Sequence, residues 1–499
     1  MSRLALQASL FSAGALLVAA CTVGPNYQRP TPAMPTAFAE YGNAATGLGD
    51  TDLASWWRGF GDPELNRLVD RALAQNLDVE TAAARIREAR AREIVAGAAA
   101  SPQVDAQASA SRQRISENAI PVPPGAGGGG GGGGGSTGGF GLPGSEFNTF
   151  RVGFDASWEI DLFGKTRRSV EAARARTGMS TWNRRDVQVS IAAEVADTYL
   201  ALRTLQQRIK TAEDEVSRQQ RSLSLVDAKV SGGLVTGEDL AEQHSALAAA
   251  QSAVPPLRAQ VSAEIHALGV LTGQAPEALI LELTPSAALP APPKVPPGLP
   301  SDLLRRRPDI RAAEQSLHAA TAEIGVATAD LYPRFSLSAV PALVSTTLAK
   351  LLEWGSRSYT ASASVDWPIL NGGRTRASIT VANAQQEQAL IAYRKAILTA
   401  LQDSEDALSN IDSDRRQIAG LTSAKQAAVR AEDIARSRYR GGLVTLSDVL
   451  QAQASRISLE NQLFQARGGL ARDTVALFKA LGGGWPDLAQ TEKARGALP

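Results

Sequence analysis

The chain has 499 residues, 44% of them hydrophobic and 20% charged, so it can bury a sizeable core. Its 51 basic and 50 acidic side chains leave a formal charge of +1, without the basic excess of a nucleic-acid binder. Aromatics are only 5%, and long stretches of Ala, Gln, Arg, Leu and Ser suit extended helices better than a compact α/β enzyme.

Residues 1–20 read as an export signal. Arg3 gives a positive start, and the apolar run from Leu10 to Ala20 is too short to span a bilayer. Val18, Ala19 and Ala20 lead into Cys21, the single cysteine, so no intrachain disulfide can form. The pattern resembles the lipobox of bacterial lipoproteins, which makes Cys21 the lipidated first residue. An ordinary signal peptide with a chance cysteine is the alternative. At ~0.8 kcal/mol per buried CH₂, several acyl chains anchor firmly. Thr22 follows, where an Asp often retains a lipoprotein in the inner membrane. Residues 21–61 are expected to be a lipidated, extended segment. No other stretch approaches 18 apolar residues, so any membrane crossing is expected from β-strands.

The rest of the chain is written twice. An offset of 231 (309 − 78) pairs Asp78 with Asp309, Ala82 with Ala313, Val95 with Val326 and Pro102 with Pro333. Further on, an offset of 209 (367 − 158) pairs Trp158 with Trp367, Ile160 with Ile369, Gly164 with Gly373 and Asp239 with Asp448. The first repeat takes 62–283 and the second 301–485, joined by a Pro-rich linker at 284–300 and followed by a tail at 486–499. The drop of 22 (231 − 209) falls where a Gly-rich loop, 125–139, lies. No Lys-Ser/Thr follows its Gly run, so it is no phosphate cradle.

Each repeat opens with a helix, roughly 62–100 and 301–331, ended by Pro102 or Pro333. Two strands follow, at about 103–114 and 149–161, and at about 334–345 and 358–370. Their side chains alternate: Phe150, Val152, Phe154, Ala156, Trp158 and Ile160 face one way, Arg151, Asp155, Ser157 and Glu159 the other. Such strands suit a transmembrane barrel with a wet lumen; an ordinary half-buried antiparallel sheet has the same period. The anchor and the aromatics Phe150, Phe163, Tyr332, Trp354 and Tyr359 near strand ends favour the membrane. Four strands cannot close around a lumen, so oligomerisation must supply the rest.

Long Pro-free regions come next. Val187, Ile191, Val195, Tyr199, Leu202, Leu205 and Ile209 recur at spacings of three and four, a coiled-coil-like stripe. Gly232-Gly233 and Gly441-Gly442 break these helices into antiparallel hairpins with tips at 232–236 and 441–445. Gly178 and Gly420 are candidate bend points. His244, His266 and His318 lie apart, without metal-ligand spacing, and no nucleotide or hydrolase motif appears. The expectation is therefore no enzyme, no metal and no cofactor. Acidic pairs such as Glu213/Glu215 and Glu405/Asp406 read as solvated helix faces.

A set of motifs then covers nearly the whole mature chain in order. They are Cys21 with Val23-Gly24-Pro25-Asn26-Tyr27, Trp56-Trp57 with Phe60, Asp62-Pro63 and Leu65, and Glu159-Ile160-Asp161-Leu162-Phe163-Gly164. Arg307-Pro308-Asp309-Ile310-Arg311-Ala312-Ala313-Glu314, Tyr332-Pro333-Arg334, Arg438-Tyr439 with Gly442, and Val449-Leu450-Gln451-Ala452-Gln453 complete it. The chain resembles the outer-membrane factors of tripartite efflux pumps, in the TolC-like superfamily and its OprM/NodT lipoprotein branch. The resemblance implies an α+β membrane protein, a homotrimer whose four strands per chain complete a 12-stranded barrel, continued by a periplasmic α-barrel. It implies a passive exit duct for drugs or other small toxic compounds, localised to the outer membrane. Its partners are a periplasmic adaptor, an inner-membrane pump of RND type and outer-membrane lipid, with no nucleic acid. It places adaptor contact at the tips, Gly232, Gly233, Leu234, Val235 and Thr236 with Gly441, Gly442, Leu443, Val444 and Thr445. OprM-like members often carry an acid just after the second tip glycine, where this chain has Leu443-Val444-Thr445. Asp448, with Arg438 and Arg440, is the substitute gate, and salt-bridged helix ends are the structural alternative. A type I protein-secretion duct and a non-transporting envelope spacer are the other functional readings; the spacer leaves the paired amphipathic strands unexplained.

Overall fold

The computed structural model describes residues 22–39, 53–114, 116, 146–293 and 300–485. The signal peptide, Cys21, the Gly-rich loop 125–139 and the tail 486–499 lie outside the described residues. The chain divides into two units. One takes Met1–Tyr27, Ala91–Arg174 and His318–Gln386; the other takes Gln28–Arg90, Ala175–Leu317 and Glu387–Pro499.

In the first unit, strands β1 (Gln103–Arg114), β2 (Glu146–Ile160), β3 (Arg334–Ser345) and β4 (Arg357–Asp366) form one antiparallel sheet in sequence order. Register puts like with like: Val104 opposite Ala156, Ala106 opposite Phe154, Ala108 opposite Val152, Ala110 opposite Phe150. Directly opposed residues share a face, so β1 and β2 have one apolar and one polar side, while β3 sets Val340, Ala342 and Val344 on the polar side, opposite Thr360, Ser358 and Arg151. The apolar side ends where Arg112 donates to Glu146 at 2.6 Å on the same face. From Phe150 to Ile160 the band runs ~33 Å along the strand, which at barrel tilt gives about 25 Å of hydrocarbon height. Pro341 lacks an N–H, and the β2–β3 ladder skips the stretch between Gly153–Ala342 and Ala156–Ala339. The fourth strand stops at Asp366, short of the expected 370, because Pro368 cannot donate to a ladder. Trp367 continues the side-chain alternation beyond the hydrogen-bonded strand.

The duplication is visible as bonds. Trp158 donates its indole N–H to the Ala100 carbonyl at 3.0 Å, and Trp367 donates to the Leu331 carbonyl at 3.0 Å. The donors differ by 209 (367 − 158) and the acceptors by 231 (331 − 100), the two offsets of the repeat.

The N-terminal strap is clasped to the same unit. Val23 N–H donates to the Phe163 carbonyl at 3.1 Å, and Arg168 donates to Asn26 Oδ1 at 2.7 Å and to Glu171 at 2.7 Å. Tyr27 stacks on His318 with centroids 4.3 Å apart, and His318 Nε2 lies 2.9 Å from Glu171. Bonds from His318 and Arg168 outweigh burial and hold the Glu171 carboxyl below the usual carboxylate range. At Gly24 (φ +88°) a Cβ would stand 2.4 Å from Gly325 Cα, so the strap passes only because Gly24 has no side chain, while a Cβ at Gly325 would meet the Arg168 side chain at 2.7 Å.

The second unit is helical. Helices α1 (Pro63–Gln75) and α2 (Leu77–Ala98) replace the single helix expected at 62–100. Asn76 breaks it, and its Oδ1 accepts from Asp78 N–H at 2.8 Å as the cap of the next helix. In the second repeat the break is at Arg307, before α6 (Pro308–Ala329), and 307 − 76 is again 231. The long helices are α3 (Lys165–Ser231) and α7 (Arg374–Arg440), each 67 residues and on the order of 100 Å. They return as α4 (Gly237–Ser252) and α5 (Val254–Leu271) in the first repeat and as unbroken α8 (Leu446–Ala480) in the second. Pro255 and Pro256 account for the extra break. Gly178 and Gly420 leave their helices continuous, and a Cβ at Gly178 would meet Gln315 at 2.9 Å, so it serves close packing.

Three buried clusters hold the described part of this unit, the smallest built on Trp182 and Trp485; the other two are larger. In one, Trp56 stacks on Phe478 at 5.0 Å among Leu65, Leu68, Leu202 and Leu268. Buried Tyr199 donates to Asp62, the α1 cap, at 2.7 Å; burial and that carboxylate push its phenol pKa up. In the other, Tyr393 packs with Leu303, Ile310, Ile411 and Leu477. No described helix is long and apolar enough to cross a membrane.

Candidate functional site

The two hairpin tips are built alike. At the first, Gly233 (φ +69°) closes α3, with Leu234 N–H donating to the Lys229 carbonyl at 2.9 Å. At the second, Gly442 (φ +70°) closes α7, with Leu443 N–H donating to the Arg438 carbonyl at 2.9 Å. This six-to-one bond with a left-handed glycine is a Schellman cap, and it satisfies carbonyls that a helix end leaves open. The chain then re-enters a helix through a capping box. Asp239 N–H donates to Thr236 Oγ1 and Asp448 N–H to Thr445 Oγ1, both at 3.3 Å, while the carboxylates accept from the threonine N–H groups at 3.1 and 2.9 Å.

Between stop and start each tip presents one leucine, Leu234 or Leu443, each 77% exposed. Val235 and Val444 are half-buried beneath them, and Gly232, Gly441, Thr236 and Thr445 are exposed. Within this unit Lys229 lies 5.0 Å over the Tyr439 ring. Burial, and next Asp239, push the Tyr439 phenol pKa up.

The candidate gate residues lie close in sequence but do different things. The Asp448 carboxylate serves the capping box, and the Thr445 hydroxyl and N–H hold it below the usual carboxylate range. Arg438 and Arg440 end α7 with exposed side chains.

Charge recognition inside the bundle is carried elsewhere. Arg456 on α8 donates Nε to Glu432 of α7 at 2.5 Å, Nη1 to Glu460 at 2.9 Å and Nη2 to Glu215 of α3 at 3.3 Å. Glu215 also accepts from Arg218 at 2.8 Å and from Gln219, which reaches Gln453 and Gln243. Glu215 is 5% exposed, which corrects the reading of the Glu213/Glu215 pair as a solvated face. Glu405 is half-buried and accepts from Ala39 N–H at 2.7 Å, again not a freely solvated acid. Sequence carried a signal for this network: Leu446, Val449, Gln453, Arg456 and Leu463 mark the buried face of α8, and two polar residues interrupt its apolar spacing.

The sheet offers the other functional surface. Its polar side carries Gln103, Asp105, Gln107 and Ser109 on β1, facing Ser157, Asp155, Gly153 and Arg151 on β2. On β3 and β4 it carries Ser336 and Ser338, bonded to Ser364 and Ser362 at 2.7 Å. This is a wet face on strands whose reverse is apolar, the arrangement that lines an aqueous pore.

Known proteins match this geometry. The family model described as outer membrane efflux protein covers residues 68–274 and 299–483. The pyoverdine export outer membrane protein OpmQ of Pseudomonas aeruginosa is 34% identical over 96% of each chain. Outer membrane protein OprJ of the same organism is 31% identical, also over 96% of each. The solved outer-membrane channel OprN superposes with a TM-score of 0.83 at 33% identity, over 93% of this chain and all of that one.

Proposed function

We propose, for a chain that belongs to the outer membrane efflux protein family, a lipid-anchored homotrimer that passively conducts small toxic compounds out of the cell. The efflux role in the outer membrane is a property of the family. The trimer, the anchor and the partners are our reading. The observation that carries it is the open sheet: four strands, one mainly apolar face, one mainly polar face, and two edges, β1 and β4, without a partner strand among the described residues. Three copies supply twelve strands and close those edges around a lumen.

Cys21 is the proposed acylation site, one residue before Thr22. Thr22 itself packs where a Gly164 Cβ would stand, 2.7 Å away, at the start of α3. The exposed leucines at 234 and 443, framed by the tip residues 232–236 and 441–445, are the proposed contacts for a periplasmic adaptor. An RND-type inner-membrane pump supplies the energy.

Mass measurement and single-channel recording of the detergent-purified protein test this reading. A trimer with small, flickering currents is expected; a non-conducting monomer overturns it and favours an envelope spacer. Asp448, with Arg438 and Arg440 near it, is the proposed periplasmic gate. Asp448→Ala is expected to raise conductance. Because the same carboxylate caps α8, unchanged conductance with lowered helix stability assigns it to the cap alone.

A further inference from the structure

The two strand hairpins superpose by sequence, and one cross-strand pair has changed its chemistry. Asp105 and Asp155 are direct partners across β1–β2. Their equivalents in the second repeat are Ser336 (336 − 105 = 231) and Ser364 (364 − 155 = 209), direct partners across β3–β4. The serines bond to each other at 2.7 Å. The fold therefore accepts an uncharged, mutually satisfied pair at this place. The first hairpin instead sets two carboxylates face to face, an arrangement that costs stability in a sheet.

Nothing in the register neutralises them. The Arg334 side of β3 faces Asp366 on β4, an opposed pair of opposite sign. Glu159 faces Ser336. Arg151 shares the polar side but stands four residues from Asp155, ~13 Å along the strand. The polar side of β1 and β2 thus carries Asp105, Asp155 and Glu159 against Arg151, a net −2 per chain (1 − 3).

We propose that Asp105 and Asp155 determine charge selectivity in the barrel lumen, favouring cationic and neutral solutes over anions of equal size. The inference rests on the trimeric barrel proposed above, in which three such pairs make a ring of six carboxylates. A charged ring lining a passage concentrates counter-ions and repels co-ions more than the same pair does on an open surface. Arg151, nearer the outer mouth, opposes the effect.

The test is the reversal potential of the full-length trimer in planar bilayers under a KCl gradient. The wild type is expected to prefer K⁺. The double variant Asp105→Ser/Asp155→Ser, which transplants the pair that the second hairpin already folds with, is expected to lower the K⁺/Cl⁻ permeability ratio by about threefold or more. Arg151→Gln is expected to raise it. A conducting trimer whose ratio is the same in the double variant overturns the inference and leaves the duct reading intact. A wild type that forms no trimer and no pore takes both down. Mass measurement on each variant separates a lost pore from a lost selectivity.

Discussion

The two halves of this chain answer the same backbone problems in the same way and present different surfaces. Both interrupt their first helix at equivalent positions, Asn76 and Arg307, and both bond a tryptophan indole to the carbonyl before β1 or β3. Both turn at a left-handed glycine and restart with a Thr/Asp capping box. These devices satisfy main-chain groups, which have few alternative partners, so a duplicated copy keeps them to the residue. Side chains facing water or another helix are freer. Asp105/Asp155 against Ser336/Ser364 is one divergence, and the kinked return arm α4–α5 against straight α8 is another.

Arg456 gives the largest expected break of that comparison, because its first-repeat equivalent is Leu247 (456 − 247 = 209) and nothing duplicates its role. Arg456→Met strips the guanidinium from Glu432 and Glu215, whose side chains are each 7% exposed. Glu215 keeps Arg218 at 2.8 Å and Glu432 keeps Arg436 at 2.6 Å, so the expected loss lies below the about 3–5 kcal/mol of a buried carboxylate left wholly unpaired. Guanidinium unfolding followed by helical circular dichroism measures it, and Glu432→Gln in the same background is expected to recover part. A loss no larger than that of an exposed arginine would mean that water reaches the cluster.

The tips sharpen the comparison from the other side. Gly233→Ala and Gly442→Ala meet no atom within 4 Å, so each pays only for the left-handed backbone, ~1–2 kcal/mol. The two losses should match. Unequal losses would show that one tip relaxes into another turn.

The smallest expected effect belongs to a carboxyl pair found only in the second repeat. Burial, then the charge of Asp473, pushes the Asp414 pKa up to about 6; its equivalent in the first repeat is Leu205 (414 − 205 = 209). A raised carboxyl pKa favours the protonated fold: the contribution is complete below ~4 and is lost as pH rises through about 6. Asp414→Asn should therefore raise the unfolding midpoint above pH 6 and leave it unchanged below pH 4. A pH-independent shift would contradict the pairing.

Much of the fold was legible because repetition is a positional signal: two offsets recover both strand hairpins and both long helical hairpins. The helix breaks were not, since Leu77 continues the apolar spacing and only Asn76 capping Asp78 and Val79 reveals the stop. Trp367 and Ile369 extended the expected fourth strand because alternation reports side-chain direction, not ladder bonds. At the tips, Gly-Gly followed by Thr announced a turn and a cap. The buried face of α8 on which Arg456 lies was marked by its apolar spacing, but its partners Glu432 and Glu215 were not, because a charged residue on a long helix carries no mark of which helix faces it.

The unpaired edges at β1 and β4 have a consequence for the life of the chain before it functions. A single copy has a sheet with two open ladders and a mainly apolar side. It can neither bury that side alone nor pair those edges with itself. In the proposed trimer its vulnerable interval is the time before other copies cover those edges, when an extended segment of another chain can dock on β1 or β4. The long helices, made of local contacts, are able to fold early, while in the proposed trimer the sheet waits for two more copies and a bilayer. Synthesis rate and local concentration thus enter the yield of functional duct as strongly as the stability of the finished fold.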